Sequence, residues 1–170
     1  AQTTGLSDGS VFSQGATVNT FLATDDAGNT ASCSFTVTVV DTEAPGIFCT
    51  ANVTLNNATG TCGKFYNYAI GTADNCGAVT WTKTTGLYPG TFPVGTTVNT
   101  FVATDASGNT ASCSFSVTVN DTENPTITCP ADISVDNNAG VCGAAVEFAI
   151  SSSDNCAVVS TYQTEGLASG

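Results

Sequence analysis

Eight cysteines and the absence of histidine define the side-chain chemistry available to this chain of 170 residues. Zinc sites of the usual cysteine–histidine type require histidine, and no cysteine pair has the CxxC spacing, so a site of this type is excluded. So many cysteines instead predict a disulfide framework, which forms and persists in oxidising compartments outside the cytosol. They are Cys33, Cys49, Cys62, Cys76, Cys113, Cys129, Cys142 and Cys156.

Catalytic constellations are absent from the sequence. Without histidine there is no Ser–His or Cys–His pair, and no glycine-rich phosphate loop precedes a helix. Asp25 and Asp26 are adjacent, but neighbouring side chains on a strand point to opposite sides, so they do not form a carboxylate pair. The sequence predicts a protein that is not an enzyme and that requires no cofactor.

The charge of the chain is strongly one-sided, with 14 acidic residues against 2 basic ones and a net charge of −12. Such a surface repels phosphate backbones and anionic lipids, so we expect neither nucleic-acid binding nor membrane association. No run of about 18 apolar residues and no signal-peptide pattern is present, which predicts no membrane insertion. Because no targeting element is present at either end, we expect the chain to be an internal segment.

An internal repeat organises the chain. Residues 16–43 return as residues 96–123, a shift of 80 positions, and the same shift superimposes the cysteines and their neighbours. The repeat unit of about 80 residues predicts three segments. These are the C-terminal half of one repeat (1–40), a complete repeat (41–120) and the N-terminal half of the next (121–170).

Strand patterns fill the unit. Phe115, Val117 and Val119 alternate with small polar residues, which is the period of a half-buried strand. Residues 105–109 form a hairpin signal before it, and further strands are predicted near 47–55, 62–70 and 78–85. Short strands at this spacing, with no helical period, predict an all-β fold of tandem immunoglobulin-like β-sandwich repeats.

Acidic side chains are predicted to meet at one end of this sandwich, where the chain entry and two loops lie together. An oxygen-rich cluster suits Ca²⁺, which binds six to eight carboxylate and carbonyl oxygens. The alternative is structural, because Asp and Asn in turns cap their own backbone. Both interpretations apply to Asp41, Glu43, Asp74 and Asp105.

Aromatic side chains provide a second candidate site. Trp81 is the only tryptophan, and threonine occupies its place in the next copy, so a conserved core position is not expected there. Trp81 and Tyr88 are the candidate residues for binding a sugar or a protein partner. Packing beneath a loop is the alternative for Trp81.

Several motifs of the chain match a known pattern. They are Asp121-Thr122-Glu123-Asn124-Pro125, Cys129-Pro130-Ala131-Asp132-Ile133, Asp74-Asn75-Cys76, residues 92–97, residues 103–109 and Cys113-Ser114-Phe115. Together these motifs resemble the HYR (hyalin repeat) family, which implies immunoglobulin-like repeats and extracellular adhesion or display. The four-cysteine version is similar to repeats of large bacterial surface proteins, including adhesins of gliding Bacteroidota. The sequence departs from the family at Cys49-Thr50, where Cys-Pro is expected, and around residues 6–12.

Four cysteines per repeat allow three connectivities. The first and last strands of such sandwiches run side by side, which favours Cys49 with Cys113 and leaves Cys62 with Cys76. The alternative joins Cys49 to Cys62 and Cys76 to Cys113.

The function that follows is a structural or adhesive segment of an extracellular stalk or filament protein, and we expect that protein to act in bacterial cell-surface adhesion. Stiff domains joined in series suit extension and load-bearing. The expected partners are neighbouring copies of the repeat and an unidentified surface ligand. In particular, we expect residues 121–170, through a strand with Val158 and Val159, to pack against a segment equivalent to 1–40. The alternative is an extracellular carbohydrate- or protein-binding module.

Overall fold

The computed structural model describes residues 1–158 and 160–166. These residues form thirteen β-strands and no helix, which confirms the all-β fold class. None of them belongs to a helix long and apolar enough to cross a membrane. The strands are β1 (Gln2–Thr4), β2 (Gly15–Thr24), β3 (Thr30–Val39), β4 (Gly46–Phe48), β5 (Val53–Asn56), β6 (Gly63–Tyr66), β7 (Gly71–Ala73), β8 (Thr80–Thr85), β9 (Gly90–Pro93), β10 (Gly95–Thr104), β11 (Thr110–Asn120), β12 (Thr126–Thr128) and β13 (Ser151–Ser153).

The predicted alternation is found in β11, where Phe115, Val117 and Val119 are buried and the residues between them are more exposed. In β10 the buried face is formed by Asn99, Phe101 and Ala103. The two strands lie next to each other in a sheet with the order β5-β11-β10-β8. Burial of these apolar side chains is the main driving force for folding of the repeat.

Two compact units are present, and the first contains residues 1–50, 69–85 and 100–114. Its first 40 residues form the sheet β1-β2-β3, with β2 and β3 paired along ten residues. The unit also contains the antiparallel pairs of β4 with β7 and of β8 with the second half of β10. Trp81 of β8 contacts the buried Phe101 edge to face, with ring centroids 5.5 Å apart.

Among the described residues, the second unit contains residues 51–68, 86–99, 115–158 and 160–166. Here β5 runs parallel to β11, pairing Val53 with Val117, as the first and last strands of an immunoglobulin-like sandwich do. The unit also contains β6 paired with β9 and β12 paired with β13. Its aromatic core centres on Tyr68, whose ring lies 4.9 Å from that of Phe115.

The predicted repeat boundaries do not coincide with these units, because each unit combines part of residues 41–120 with a flanking half-repeat. The three predicted segments therefore stay a prediction. Of the strand predicted around Val158 and Val159, Val158 is in no strand, and Val159 lies outside the described residues, as do residues 167–170.

A buried asparagine holds the loop after β8. Asn99 is fully buried on β10, and its Oδ1 accepts a hydrogen bond of 2.7 Å from the Leu87 backbone N–H. The loop comes this close because Gly86 has a φ of +86° and no side chain, and a Cβ there would lie 2.6 Å from the Val98 carbonyl oxygen. The flanking half-repeat contains the same arrangement, with Asn19 accepting from Leu6 at 2.9 Å.

Gly86→Ala should destabilise the chain by about 3 kcal/mol, because the substitution combines an unfavourable positive φ with a steric clash. Gly108→Ala is the matched control. Gly108 also has a positive φ, of +91°, but nothing lies within 4 Å of a Cβ built there. Its cost should be only about 1 kcal/mol. Denaturant unfolding of both variants measures the difference, and equal losses would contradict the close approach to Asn99.

Candidate functional site

The first disulfide joins Cys49, just after β4, to Cys113 in β11, with a Cα–Cα distance of 5.9 Å. This is the pairing that the side-by-side arrangement of first and last strands favours. The bond closes a loop within one repeat, between residues 64 positions apart in the sequence. It therefore stabilises that repeat mainly by restricting its unfolded chain.

The second disulfide joins Cys62 to Cys156, with a Cα–Cα distance of 4.6 Å. The expected partner of Cys62 was Cys76, but Cys76 is a free thiol and belongs to the other compact unit. Cys156 is the residue that corresponds to Cys76 after the shift of 80 positions. The bond therefore connects one repeat to the next, and it replaces the predicted short loop within a repeat.

Four cysteines are free in this structure, and all four are exposed. The alternative pairings of Cys49 with Cys62 and of Cys76 with Cys113 are absent, because Cys49 is bonded to Cys113 and Cys62 to Cys156. The free thiols are Cys33, Cys76, Cys129 and Cys142.

Cys62 is carried by a tight turn formed by residues 57–62. The Ala58 N–H donates to the Gly63 carbonyl at 2.7 Å, and the Thr61 N–H donates to the Ala58 carbonyl at 2.9 Å. Gly60 has a φ of +71°, which glycine adopts without steric cost. The Asn57 side chain is 8% exposed, and its Nδ2 donates to the Thr61 carbonyl at 3.1 Å. The turn is thus fixed by its own backbone.

The same turn is bound by residues of the next repeat. Both carboxylate oxygens of Glu123 accept from the Gly60 N–H, at 2.9 and 3.0 Å. The Thr122 N–H and hydroxyl donate to Asn57 Oδ1 at 3.1 and 3.2 Å. Asn155 Nδ2 donates to the Thr61 carbonyl at 3.0 Å. We call this set, residues 57–62 with 121–123 and 154–156, the junction clamp.

Three of the four predicted metal ligands lie together. One carboxylate oxygen from each of Asp41, Asp74 and Asp105 lies within 4.8 Å of the others. Glu43 is not part of this group, and its Oε2 instead accepts from Asn75 Nδ2 at 2.8 Å. Three negative charges at this separation repel one another, and a divalent cation would relieve that repulsion.

The same carboxylates also stabilise turns. Asp41 accepts from the Glu43 N–H at 3.1 Å, and Asp74 accepts from the Cys76 N–H at 2.8 Å. Burial works to raise the pKa of Asp105, but hydrogen bonds from the side chain and backbone of Asn109 and from the Ser107 N–H outweigh it and lower that pKa. Turn capping by itself therefore gives each of the three carboxylates a structural role, and calcium binding stays a prediction.

The Cys76 thiol lies beside this acidic group. Its pKa is raised, first by partial desolvation and then by the negative charges of Asp41, Asp74, Glu43 and Asp105. The thiol is accordingly held in its protonated form at neutral pH.

Trp81 belongs to the first compact unit and Tyr88 to the second. Trp81 is 40% exposed and covers Phe101, which agrees with a packing role for part of its ring. Tyr88 is 61% exposed in the loop between β8 and β9. A ligand-binding role for either residue stays a prediction.

Sequence reasoning missed the roles of Asn57, Glu123 and Asn155 in the clamp. A signal for them was present, since Asn57, Gly60 and Cys62 recur as Asn137, Gly140 and Cys142. Recurrence of a polar turn next to a cysteine in each repeat is the pattern expected of a turn that binds the neighbouring repeat.

The sequence profile of the HYR domain matches residues 2–39 and again residues 40–119. The chain belongs to the HYR domain family. This confirms the resemblance given by the sequence motifs, and the all-β sandwich described above agrees with it.

Two similar proteins are hyalins of sea urchins. Hyalin of Strongylocentrotus purpuratus is 44% identical over 138 residues, which is 75% of this chain and 11% of that protein. Hyalin of Lytechinus variegatus is 37% identical over 130 residues, or 74% of this chain and 24% of that protein. This chain therefore spans no more than about a quarter of the length of these two relatives.

A third similar protein is the serine-rich adhesin for platelets of Staphylococcus aureus, 34% identical over 109 residues, or 56% of this chain and 5% of that protein. The expected bacterial origin is not supported by these relatives, because the sea-urchin hyalins match more of the chain at higher identity.

Calcium should raise the thermal stability of the chain if the acidic group binds it. With the affinity of extracellular calcium modules, 10 mM Ca²⁺ should add about 1.5–2.5 kcal/mol. Asp41→Asn should abolish this gain, whereas Asp26→Asn, which removes an exposed charge outside the group, should keep it. Thermal unfolding with Ca²⁺ and with a chelator makes the comparison. No difference between the two conditions would leave turn capping as the role of these carboxylates.

Proposed function

We propose that this chain is a segment of an extracellular adhesive or structural array, built as a stalk or filament in which consecutive HYR repeats are covalently joined. The observation that carries the proposal is the Cys62–Cys156 disulfide, which links two repeats rather than closing one. A linker alone would let adjacent domains reorient, while a disulfide with surrounding hydrogen bonds fixes their contact.

The relatives support the extracellular and adhesive part of the proposal. One of them is an adhesin by name, and two are hyalins. The two disulfides agree with an oxidising environment outside the cytosol. The family consists of adhesion-type repeats and is not an enzyme family.

Neighbouring repeats are the partners that the exposed faces favour. Phe35 is 53% exposed in the first half-repeat, whereas its counterpart Phe115 is 2% exposed in the complete repeat. Phe21 is 38% exposed and its counterpart Phe101 is fully buried. In the complete repeat, Tyr68 packs on Phe115, and the residue that corresponds to Tyr68 in the next copy is Phe148. A segment like residues 121–170 therefore supplies the matching cover.

A load-bearing role can be tested by pulling the oxidised chain from its two ends. In the wild-type chain, the shortest covalent path from Cys49 to Cys156 follows the backbone to Cys62 and then crosses the Cys62–Cys156 disulfide. Force therefore stretches only about 13 residues between Cys49 and Cys156. In Cys156→Ser the path runs through Cys113 and exposes about 43 residues. The variant should therefore extend about 100 Å further when fully unfolded, at ~3.4 Å per residue.

Cys33→Ser, which replaces an exposed free thiol, is the control and should not change the extended length. Peptide mapping without reductant identifies the Cys62–Cys156 bond in the same samples. Equal extension of the wild-type chain and of Cys156→Ser would overturn the proposed covalent array.

A further inference from the structure

The free thiols of Cys76 and Cys142 are the repeat counterparts of the two cysteines that form the Cys62–Cys156 disulfide. We propose that the turn 137–142 of one copy of this chain binds residues 41–43 and 74–76 of a second copy, where Cys142 and Cys76 form a disulfide. The proposal rests on the array function and names the residues that would join one copy to the next.

The turn on the donating side is already formed. The Asn138 N–H donates to the Gly143 carbonyl at 2.8 Å, and the Val141 N–H donates to the Asn138 carbonyl at 3.1 Å. Asn137 Nδ2 donates to the Val141 carbonyl at 2.9 Å, and Gly140 has a φ of +77°. Each feature reproduces the turn at residues 57–62. This turn therefore needs no rearrangement to bind a second copy, which lowers the entropy cost of association.

The receiving side is also formed. The Glu43 N–H donates to Asp41 and the Cys76 N–H donates to Asp74, at 3.1 and 2.8 Å. The equivalent bonds in the occupied junction clamp, from Glu123 to Asp121 and from Cys156 to Asp154, measure 3.1 and 2.9 Å. The backbone around Cys76 thus has the same local hydrogen bonds as the backbone around the bonded Cys156.

One difference distinguishes the free side from the occupied one. In the clamp, Glu123 and Asn155 bind the backbone of the inserted turn. On the free side, their counterparts Glu43 and Asn75 are hydrogen-bonded to each other at 2.8 Å. Binding of a second copy exchanges that single bond for contacts of Glu43 with the Gly140 N–H and of Asn75 with the Val141 carbonyl.

The contact is head to tail, because the two copies use different surfaces. Such heterologous contacts repeat into a linear assembly unless the rotation closes a ring. The other two free thiols fit the same assembly. Cys129 and Cys33 correspond to Cys49 and Cys113, so they are the pair that a half-repeat 121–170 and a half-repeat 1–40 from a second copy would join.

The bond forms by thiol–disulfide exchange with a small-molecule disulfide such as oxidised glutathione. The two thiols lose two protons and two electrons as their sulfurs join. The small-molecule disulfide takes up the two protons and the two electrons, and its S–S bond breaks to give two thiols.

The experiment uses the full chain with Cys33→Ser and Cys129→Ser, so that Cys76 and Cys142 are the free thiols left. One batch also carries Cys76→Ser and the other Cys142→Ser. In a glutathione redox buffer, the mixture should give a covalent dimer that contains a Cys76–Cys142 peptide by mass spectrometry. Each batch alone should form no covalent dimer. Homodimers forming as fast as the mixed dimer would overturn the proposal, because they would show random oxidation of exposed thiols.

A second variant tests the docking geometry, and its effect on the thiol has the opposite sign. Loss of the Glu43 charge removes one cause of the raised pKa of Cys76 and so favours thiol exchange, which means that slower dimer formation reports the lost contact. Glu43→Ala in the batch that retains Cys76 should slow formation of the mixed dimer roughly tenfold, because a charge-assisted hydrogen bond to the Gly140 N–H is lost. Asp26→Ala, which removes the same charge from an exposed turn, should leave the rate within about twofold. Equal rates for the two variants would overturn the proposed contact.

Mapping of Cys62–Cys156 in the same samples separates the two hypotheses. If that bond is present and no mixed dimer forms, the link between copies is wrong and the array function is unaffected. If Cys62 and Cys156 are themselves unbonded, the proposed covalent array fails.

Discussion

The short turn that carries Cys62 makes hydrogen bonds both within its own repeat and to the following repeat. The arrangement of the second compact unit depends on this turn. Its backbone is fixed by bonds within the turn, while its outer N–H and carbonyl groups bind Glu123 and Asn155 of the following repeat. A disulfide alone leaves several rotatable bonds between two domains. The hydrogen bonds around the Cys62–Cys156 bridge restrict that freedom, so the polar contacts orient the junction and the bridge retains it.

Much of the fold followed from the sequence because the relevant signals were local. Phe115, Val117 and Val119 alternate with polar residues, and a period of two on a pleated strand leaves only one face to bury. The hairpin at residues 105–109 was equally readable, since Gly108 supplies the positive φ that the turn requires. The Cys49–Cys113 pairing needed one further step, the neighbouring positions of the first and last strands in a sandwich.

The junction could not be deduced in the same way. A period of 80 residues places Cys76 and Cys156 in identical sequence surroundings, so composition and spacing cannot tell which of them faces Cys62. Disulfides closed within each repeat would pair Cys62 with Cys76, whereas the structure pairs Cys62 with Cys156. Asn99 was missed for a different reason. A buried asparagine looks like a surface residue in a Thr-rich strand until its loop partner at Leu87 is known.

The overlap of the two bridges gives the chain a redundant covalent path. Cys49–Cys113 spans the first part of the region and Cys62–Cys156 spans the last, and the two intervals share residues 62–113. Hydrolysis of any one peptide bond between Cys49 and Cys156 therefore leaves both fragments attached, including a cut between residues 121 and 125. In the proposed extracellular array, a single protease cut in this interval would break the backbone locally without separating the array into two pieces.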